Sequence, residues 1–314
     1  MVMMRKPKLR IGILLVLICL SLSSVTAQPS DSEVVVLSNS DNAVMAESIA
    51  NKLDTVVLRV ENDHVPRPTL RAMNRMNPDK VIIVGSERDV SLKVQSKLER
   101  SYSNVERINQ GNEIDNSIHI SNEYWPEGSK EVTIVQKGSD SPVISASIRN
   151  RVKGSEGPVI MARSGSLGNV VLEEVRRLGT EQVTVYTDGS HDVGKELRES
   201  GVETVKTVNK ESMDSNYDQK IDHDTLYVVV MPSDSSEGLN AIVSGKNTEG
   251  AVIRNRADIN RIVGLTQESN VRKVVVVGDS PLARSALVAF RTGSNVPVEK
   301  EYESSSATAR IALN

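Results

Sequence analysis

Cysteine is nearly absent from the chain: Cys19 is the single one in 314 residues. It lies in an apolar run near the start, after Val16-Leu17-Ile18, and lacks the small preceding residue that lipid attachment requires. Without that run no thiol remains, which excludes disulfides and thiolate-bound metals and leaves stability to core packing. Aromatic residues are also scarce, at 3%, with Trp125 the sole tryptophan. Flat platforms for stacking sugars or bases are therefore not a main feature. The four histidines, His64, His119, His191 and His223, show no paired ligand spacing and read as surface residues. No Gly-Lys-Ser, Gly-Lys-Thr or Gly-x-Ser-x-Gly occurs, and Gly165-Ser166-Leu167-Gly168 has only part of a dinucleotide fingerprint. The expectation is a protein that is not an enzyme and that uses no cofactor and no metal.

Charge gives the next exclusion. Arg5, Lys6, Lys8 and Arg10 precede the apolar run Ile11 to Leu22, and Val25-Thr26-Ala27 follows with small residues. Residues 1–27 read as a secretory signal peptide, with an uncleaved anchor as the alternative, the run being short for a bilayer span. The formal charge of −3 then becomes −3 − 4 = −7. Such a chain carries no basic footprint for nucleic acid.

What the chain has in quantity is short β-branched runs bounded by turns. Asn77-Pro78-Asp79-Lys80-Val81-Ile82-Ile83-Val84-Gly85 is the clearest, and Glu181-Gln182-Val183-Thr184-Val185-Tyr186, closing at Asp188-Gly189, and Arg272-Lys273-Val274-Val275-Val276-Val277-Gly278 repeat it. Runs of this kind are strands buried on both faces of a parallel sheet. Earlier strands beginning at Val34, Val132 and Leu226 step by 98 and 94, close to the 102 and 91 of the central runs. Helical segments alternate with them: Ala43 to Leu53, a segment opening at Arg67-Pro68-Thr69 and stopping at Asn77-Pro78, and others near Val90 to Leu98, Val143 to Val152, Val170 to Leu178 and Val193 to Leu197. The fold class is α/β, three tandem Rossmann-like modules with parallel sheets. Boundaries are expected at 28–128, 129–224 and 225–314. Asn112 to Trp125 reads as a helix closing the first module, and Ala307 to Ala312 as its counterpart at the chain end. The stretch Lys210 to Asp224 is a degenerate copy of it or a linker.

With these modules in place the chain resembles the cell wall binding repeat family of type 2. The likeness rests on Leu70 to Leu98 with its Asn77-Pro78-Asp79-Lys80-Val81 and Val90-Ser91, on Val105-Glu106-Arg107-Ile108 with Gly111, on Asp41 with Ala43, and on Pro158-Val159-Ile160-Met161. Ser86, Ser190 and Asp279 stand where that family places a second glycine. The resemblance implies nucleotide-free modules in a pseudo-threefold arrangement, attached non-covalently to an anionic cell-wall or surface polysaccharide, outside the membrane once the signal is cut. Envelope proteins are further expected partners.

One polar signal recurs with the modules. Ser40, Asp41 and Asn42, then Ser139, Asp140 and Ser141, then Ser233, Asp234 and Ser235 each follow a first strand, the aspartates stepping by 99 and 94. Ligands of doubly wound sheets bind at this end of the strands, beside helix N-termini. Helix capping uses the same residue types at the same place, so both roles stay open. Val57-Leu58, Val159-Ile160-Met161 and Val252-Ile253 read as sheet core, and Glu173, Glu174, Glu196 and Glu199 as solvent-facing. A periplasmic-type solute receptor is the alternative reading, and an exported carbohydrate enzyme a weaker third.

Overall fold

The computed structural model describes residues 34–39, 42–136, 152, 155–187, 192–209, 225–230, 248–253, 255–278 and 280–301. Three four-stranded sheets form, every ladder among them parallel. The first holds β1 (Val34–Ser38), β2 (Val56–Arg59), β3 (Lys80–Val84) and β4 (Val105–Ile108) in the order β2-β1-β3-β4. The second holds β5 (Glu131–Gln136), β6 (Val159–Ala162), β7 (Gln182–Tyr186) and β8 (Thr204–Val208) in the order β6-β5-β7-β8. The third repeats this with β9 (Thr225–Val230), β10 (Thr248–Ile253), β11 (Lys273–Val277) and β12 (Val298–Glu301), as β10-β9-β11-β12. Each sheet with its helices is called a module below.

In the first module α1 (Ala43–Lys52), α2 (Arg67–Met76), α3 (Leu92–Glu99) and α4 (Glu113–Tyr124) alternate with the strands or follow them. Successive strand residues point to opposite faces, so the unbroken valines and isoleucines of β1 and β3 supply two cores at once. Val36, Ile82 and Val84 pack with Met45, Ala46 and Ile49 of α1 and Ile120 of α4. Val35, Leu37, Val81 and Ile83 pack on the other face with Ala72 and Met73 of α2 and Val94 and Leu98 of α3. Each valine, leucine, isoleucine or methionine among them contributes about 1.5–3 kcal/mol by leaving water. Helix ends follow the local chemistry: Pro68 lies in the first turn of α2, and Asn77 ends that helix in the left-handed region at φ 47°. Ser91 and Asn112 accept the N–H groups of Val94 and Asp115 at the starts of α3 and α4.

The repeat is visible in register. Lys80 pairs with Glu106 at 2.7 Å across β3 and β4, and Lys273 pairs with Glu299 at 2.9 Å across β11 and β12. In the second module α5 (Asn169–Leu178) and α6 (Val193–Glu199) cover the sheet, and in the third α7 (Arg256–Glu268) and α8 (Pro281–Gly293) do so. Segments 210–224 and 302–314, and most of 143–152, lie outside the described residues, and with them the expected linker, the chain-end helix and the helix after β5.

The first two modules share one core, since the cluster beneath α1 continues through Trp125, Ile160, Val171 and Val175 to Val183 and Val193. Edge strand β6 meets α1 and α4 there. Its outward N–H groups at Val159 and Met161 donate to the hydroxyls of Ser48 (3.1 Å) and Ser117 (2.9 Å), so two helix serines cover a strand edge that would otherwise invite pairing. Gly157 fits this junction because a Cβ there would lie 1.7 Å from the Glu131 carbonyl oxygen. Trp125 Nε1 donates to the Glu156 carbonyl at 2.7 Å.

One expectation fails at this junction. Glu174 does not face solvent; it is 5% exposed. Its carboxylate takes two bonds from Arg177, Nη2 at 2.6 Å and Nε at 2.8 Å, and the Ser121 hydroxyl at 2.5 Å. Burial arises because α4, which arrives from the first module, packs over the side of α5 that sequence periodicity assigns to water. Glu196 is half-buried and accepts the Leu167 N–H at 3.4 Å, while Glu173 and Glu199 are exposed as expected. Among the described residues, no helix is long and apolar enough to cross a membrane.

Candidate functional site

Strand order places the switch point of the first module between β1 and β3, whose successive helices leave to opposite faces of the sheet. The carboxyl ends of those strands open the crevice where doubly wound folds take ligands. Asn39 follows β1, and Asn42 precedes α1. Asn39 Oδ1 accepts both the backbone N–H of Asn42 at 3.2 Å and its side-chain Nδ2 at 3.1 Å. Across the crevice, Asp89 Oδ2 accepts the Ser86 N–H at 2.7 Å and the Ser86 hydroxyl at 2.8 Å, while Asp89 Oδ1 receives one long contact from Asn39 Nδ2 at 3.4 Å. Gly85 lets these groups converge. At φ 128° it adopts a backbone that side chains rarely reach, and an added Cβ would lie 2.8 Å from Asn42 Nδ2 and 3.1 Å from Asp89 Oδ2.

Arg107 on β4 holds the loop from behind. Nη1 donates to the carbonyls of Gly85 (2.8 Å) and Ser86 (3.0 Å), Nη2 to that of Val90 (2.7 Å), and Nε to Gln95 Oε1 (2.7 Å). Burial lowers its pKa from the ordinary arginine value, an effect opposed by Glu87, Asp89 and Glu99. The guanidinium remains charged, as arginine does in proteins. The β2–α2 loop is tied to the same assembly: the Asn62 carbonyl accepts the Ser91 N–H at 2.8 Å, and Asn62 Nδ2 donates to the Arg88 carbonyl. An open cleft of about 580 Å³ lies along Glu61 to Pro68 on this side. Exposed His64 there meets Asp63 at 2.7 Å and lowers the aspartate's pKa.

Of the candidate residues read from sequence, Asn42 falls in this crevice, buried and 3% exposed. Ser40, Asp41, Ser139, Asp140, Ser141, Ser233, Asp234 and Ser235 lie outside the described residues. Asn42 does not act as a side-chain cap, since α1 receives no hydrogen bond from it. Sequence reasoning missed Asn39, Gly85, Ser86, Asp89 and Arg107. The Ser-x-x-Asp spacing of Ser86 and Asp89 beside a strand-ending glycine was the available signal. No group of three or more histidine, cysteine or carboxylate residues is placed to hold a metal ion among the described residues.

Register shows how the other modules differ. Ser38 pairs with Val84 and Val135 with Tyr186, so Gln136 matches Asn39 and Thr187 matches Gly85. The Gly85 N–H bonds to Ile108 O and the Thr187 N–H to Val208 O, both at 3.1 Å, which fixes the match independently. Gly189 is therefore not the counterpart of Gly85. In the third module Gly278 is, at φ 131°.

With this geometry in view, comparison with solved structures finds two cell wall proteins of Clostridium difficile, Cwp6 with a TM-score of 0.58 and Cwp8 with 0.55. This chain shares their fold. Identity is 16% and 15%, over 90% of this chain and 44% and 48% of theirs. By sequence it is 26% identical to an uncharacterised protein of Pyrococcus abyssi over 60% of this chain, and 32% identical to the amidase enhancer of Bacillus subtilis over 36%. The chain spans 58% of the first relative's length and 16% of the second's. No known family profile matches it.

Proposed function

We propose that this chain is an exported, non-enzymatic cell-envelope protein that binds an anionic surface polysaccharide non-covalently through its α/β modules, set about a pseudo-threefold axis. The observation that carries this reading is the crevice at the β1/β3 switch point, where Asn39, Asn42, Ser86 and Asp89 converge around Gly85. Those groups are hydrogen-bonding ones, and Arg107 fixes the Gly85–Val90 loop that carries Ser86 and Asp89, an arrangement suited to recognition. The fold shared with clostridial cell wall proteins and the partial likeness to an amidase enhancer favour an envelope setting. Three sheets of one strand order also fit repeated binding units better than the two lobes and single cleft of a solute receptor. The expected charge of −7 after signal removal opposes long-range attraction to a polyanion, so contacts are local or cation-bridged.

The test is co-sedimentation of residues 28–314 with isolated cell envelopes before and after chemical removal of acidic polysaccharide. Binding lost on removal is the expected result; absence of binding to both preparations overturns the reading.

A further inference from the structure

The first module carries a concentration of positive charge that the acidic balance of the chain conceals. Helix α2 holds Arg67, Arg71 and Arg75 and no acid. Helix α3 with the residue that ends it holds Lys93, Lys97 and Arg100 against Glu99 alone. All six cations are exposed. The two helices pack into one core on the same face of the sheet, and Tyr102, just past α3, donates to Asn74 Oδ1 of α2 at 3.3 Å. That face therefore bears 6 − 1 = +5 in a chain whose formal charge is −3.

Stability of the fold does not account for this charge. Cations four residues apart on a helix repel, as Arg67 does Arg71, Arg71 does Arg75 and Lys93 does Lys97. Arg67 and Lys93 also stand in first turns that hold no acid, at the end where the helix dipole favours negative charge; Arg75 and Lys97, in last turns, suit it. Among the described residues none of the six makes an ion pair or a side-chain hydrogen bond, whereas exposed cations elsewhere do, Lys130 with Glu181 at 3.1 Å and Lys195 with Glu199 at 3.8 Å. Nearby acids are otherwise engaged: Asp63, which Lys93 helps keep ionised, meets His64 at 2.7 Å, and Glu99 accepts from Gln95 at 2.8 Å. The second module shows the ordinary balance, since α5 and α6 each carry two acids and two cations.

We propose that the α2–α3 face of the first module is the docking surface for the carboxylate or phosphate groups of a linear glycan, which lies along Arg67, Arg71 and Arg75 with Lys93, Lys97 and Arg100 beside it. The inference rests on the envelope-polymer reading and says where a chain of net negative charge takes hold of a polyanion. Helix rise sets successive arginines about 6 Å apart, and packing sets the helices about 10 Å apart, so one polymer chain meets both rows. Arginine offers a planar fork to either anion, and an anion beside Arg67 or Lys93 relieves the repulsion and meets the favourable end of a helix dipole. Both rows begin at the carboxyl end of the sheet, since α2 follows β2 and α3 follows β3, and the Asn62 carbonyl ties the two starts by accepting the Ser91 N–H at 2.8 Å. The face thus adjoins the crevice. Nucleic acid and membrane fit it less well: Tyr102 is half-buried and engaged with Asn74, and Leu92 is the lone large apolar side chain exposed on either helix.

The test measures binding of residues 28–314 to polygalacturonate and to poly(glycerol phosphate), with uncharged dextran, oligothymidylate and phosphatidylglycerol vesicles in parallel. Expected is saturable binding to at least one of the two anionic polymers, weakened by salt and tighter than to the other three probes. Arg67→Gln, Arg71→Gln and Arg75→Gln together weaken it by about ten-fold or more, and Lys93→Gln with Lys97→Gln weakens it too. Both variants melt at or above the temperature of the parent, because repulsion along each helix is removed. The charge-matched change Arg176→Gln, Lys195→Gln and Arg198→Gln on the second module leaves binding unchanged. Equal weakening by that control, a lowered melting temperature in the arginine variant, tighter binding to dextran, oligothymidylate or vesicles, or no binding at all overturns the proposal. Envelope co-sedimentation reads separately: binding that is lost with the acidic polysaccharide yet unaffected by the arginine variant refutes this surface alone, and polymer binding through the arginines without envelope binding refutes the envelope reading alone.

Discussion

Replacing Arg177 by methionine is the perturbation whose cost the structure sets most sharply. Arg177 makes a two-pronged bond to Glu174 and reaches the carbonyls of Ser121, Trp125 and Pro126 at 3.3–3.4 Å, at the end of α4. It thereby joins the last helix of the first module to the second. Without it, a carboxylate that is 5% exposed keeps only the Ser121 hydroxyl and the 3.4 Å contact of Asn122. Breaking a buried pair from one side costs roughly 3–5 kcal/mol, and the value here falls near 3 because the Arg177 side chain is about a third exposed. Glu174→Gln is milder, about 1–2 kcal/mol, since the arginine left behind can turn to water and keep the helix carbonyls. The double change Glu174→Leu with Arg177→Met costs less than Arg177→Met alone, because no unpaired charge stays buried. Urea denaturation followed by the fluorescence of Trp125, which sits at this junction, measures all three. A loss below about 1 kcal/mol for Arg177→Met, or a double variant at least as costly as Arg177→Met alone, would refute the reasoning.

Other expectations are narrower. Arg107→Ala removes the three carbonyl contacts holding residues 85–90, so hydrogen exchange there should speed up by at least ten-fold while the β1 and β3 amides stay protected. Ser48→Ala and Ser117→Ala each strip a partner from a β6 N–H and should cost about 1 kcal/mol by denaturation, and near 2 together if they act independently. Burial, aided by Glu123 and Glu106, raises the Tyr124 pKa well above 10.0, and burial alone raises that of Tyr102. The folded state then holds those protons longer than the unfolded one, so stability falls as pH rises past about 10. Absorbance at alkaline pH should show Tyr124 ionising last, and ionisation at the ordinary tyrosine value would contradict its placement.

Much of the fold could be read because the strands are buried on both faces and so appear as continuous β-branched runs. Strands Lys80–Val84 and Lys273–Val277 fall inside the runs Asn77–Gly85 and Arg272–Gly278. Helix α2 was equally plain, with Pro68 at one end and Asn77 at the other. What failed was information carried across the chain. Glu174 looked solvent-facing until α4, more than fifty residues earlier, was laid over it. The candidate aspartates stand at unequal sequence distances from their first strands. Measured from matching strand positions, Asp41 comes 3 residues after Ser38, whereas Asp140 and Asp234 come 5 after Val135 and Val229. Of the crevice, sequence placed Asn42 after the first strand and Gly85 at the end of the central one, but the meeting of Asn39 with Asp89 depends on strand register, which local pattern does not encode.

The central claim is that the carboxyl end of the first sheet is where the protein meets the envelope. Hydrogen exchange of residues 28–314, free and bound to isolated envelopes, tests it most directly. The account predicts slowed exchange at residues 39–42 and 85–91, with 136 and 187 unchanged; protection confined to other surfaces, or none on binding, would contradict it.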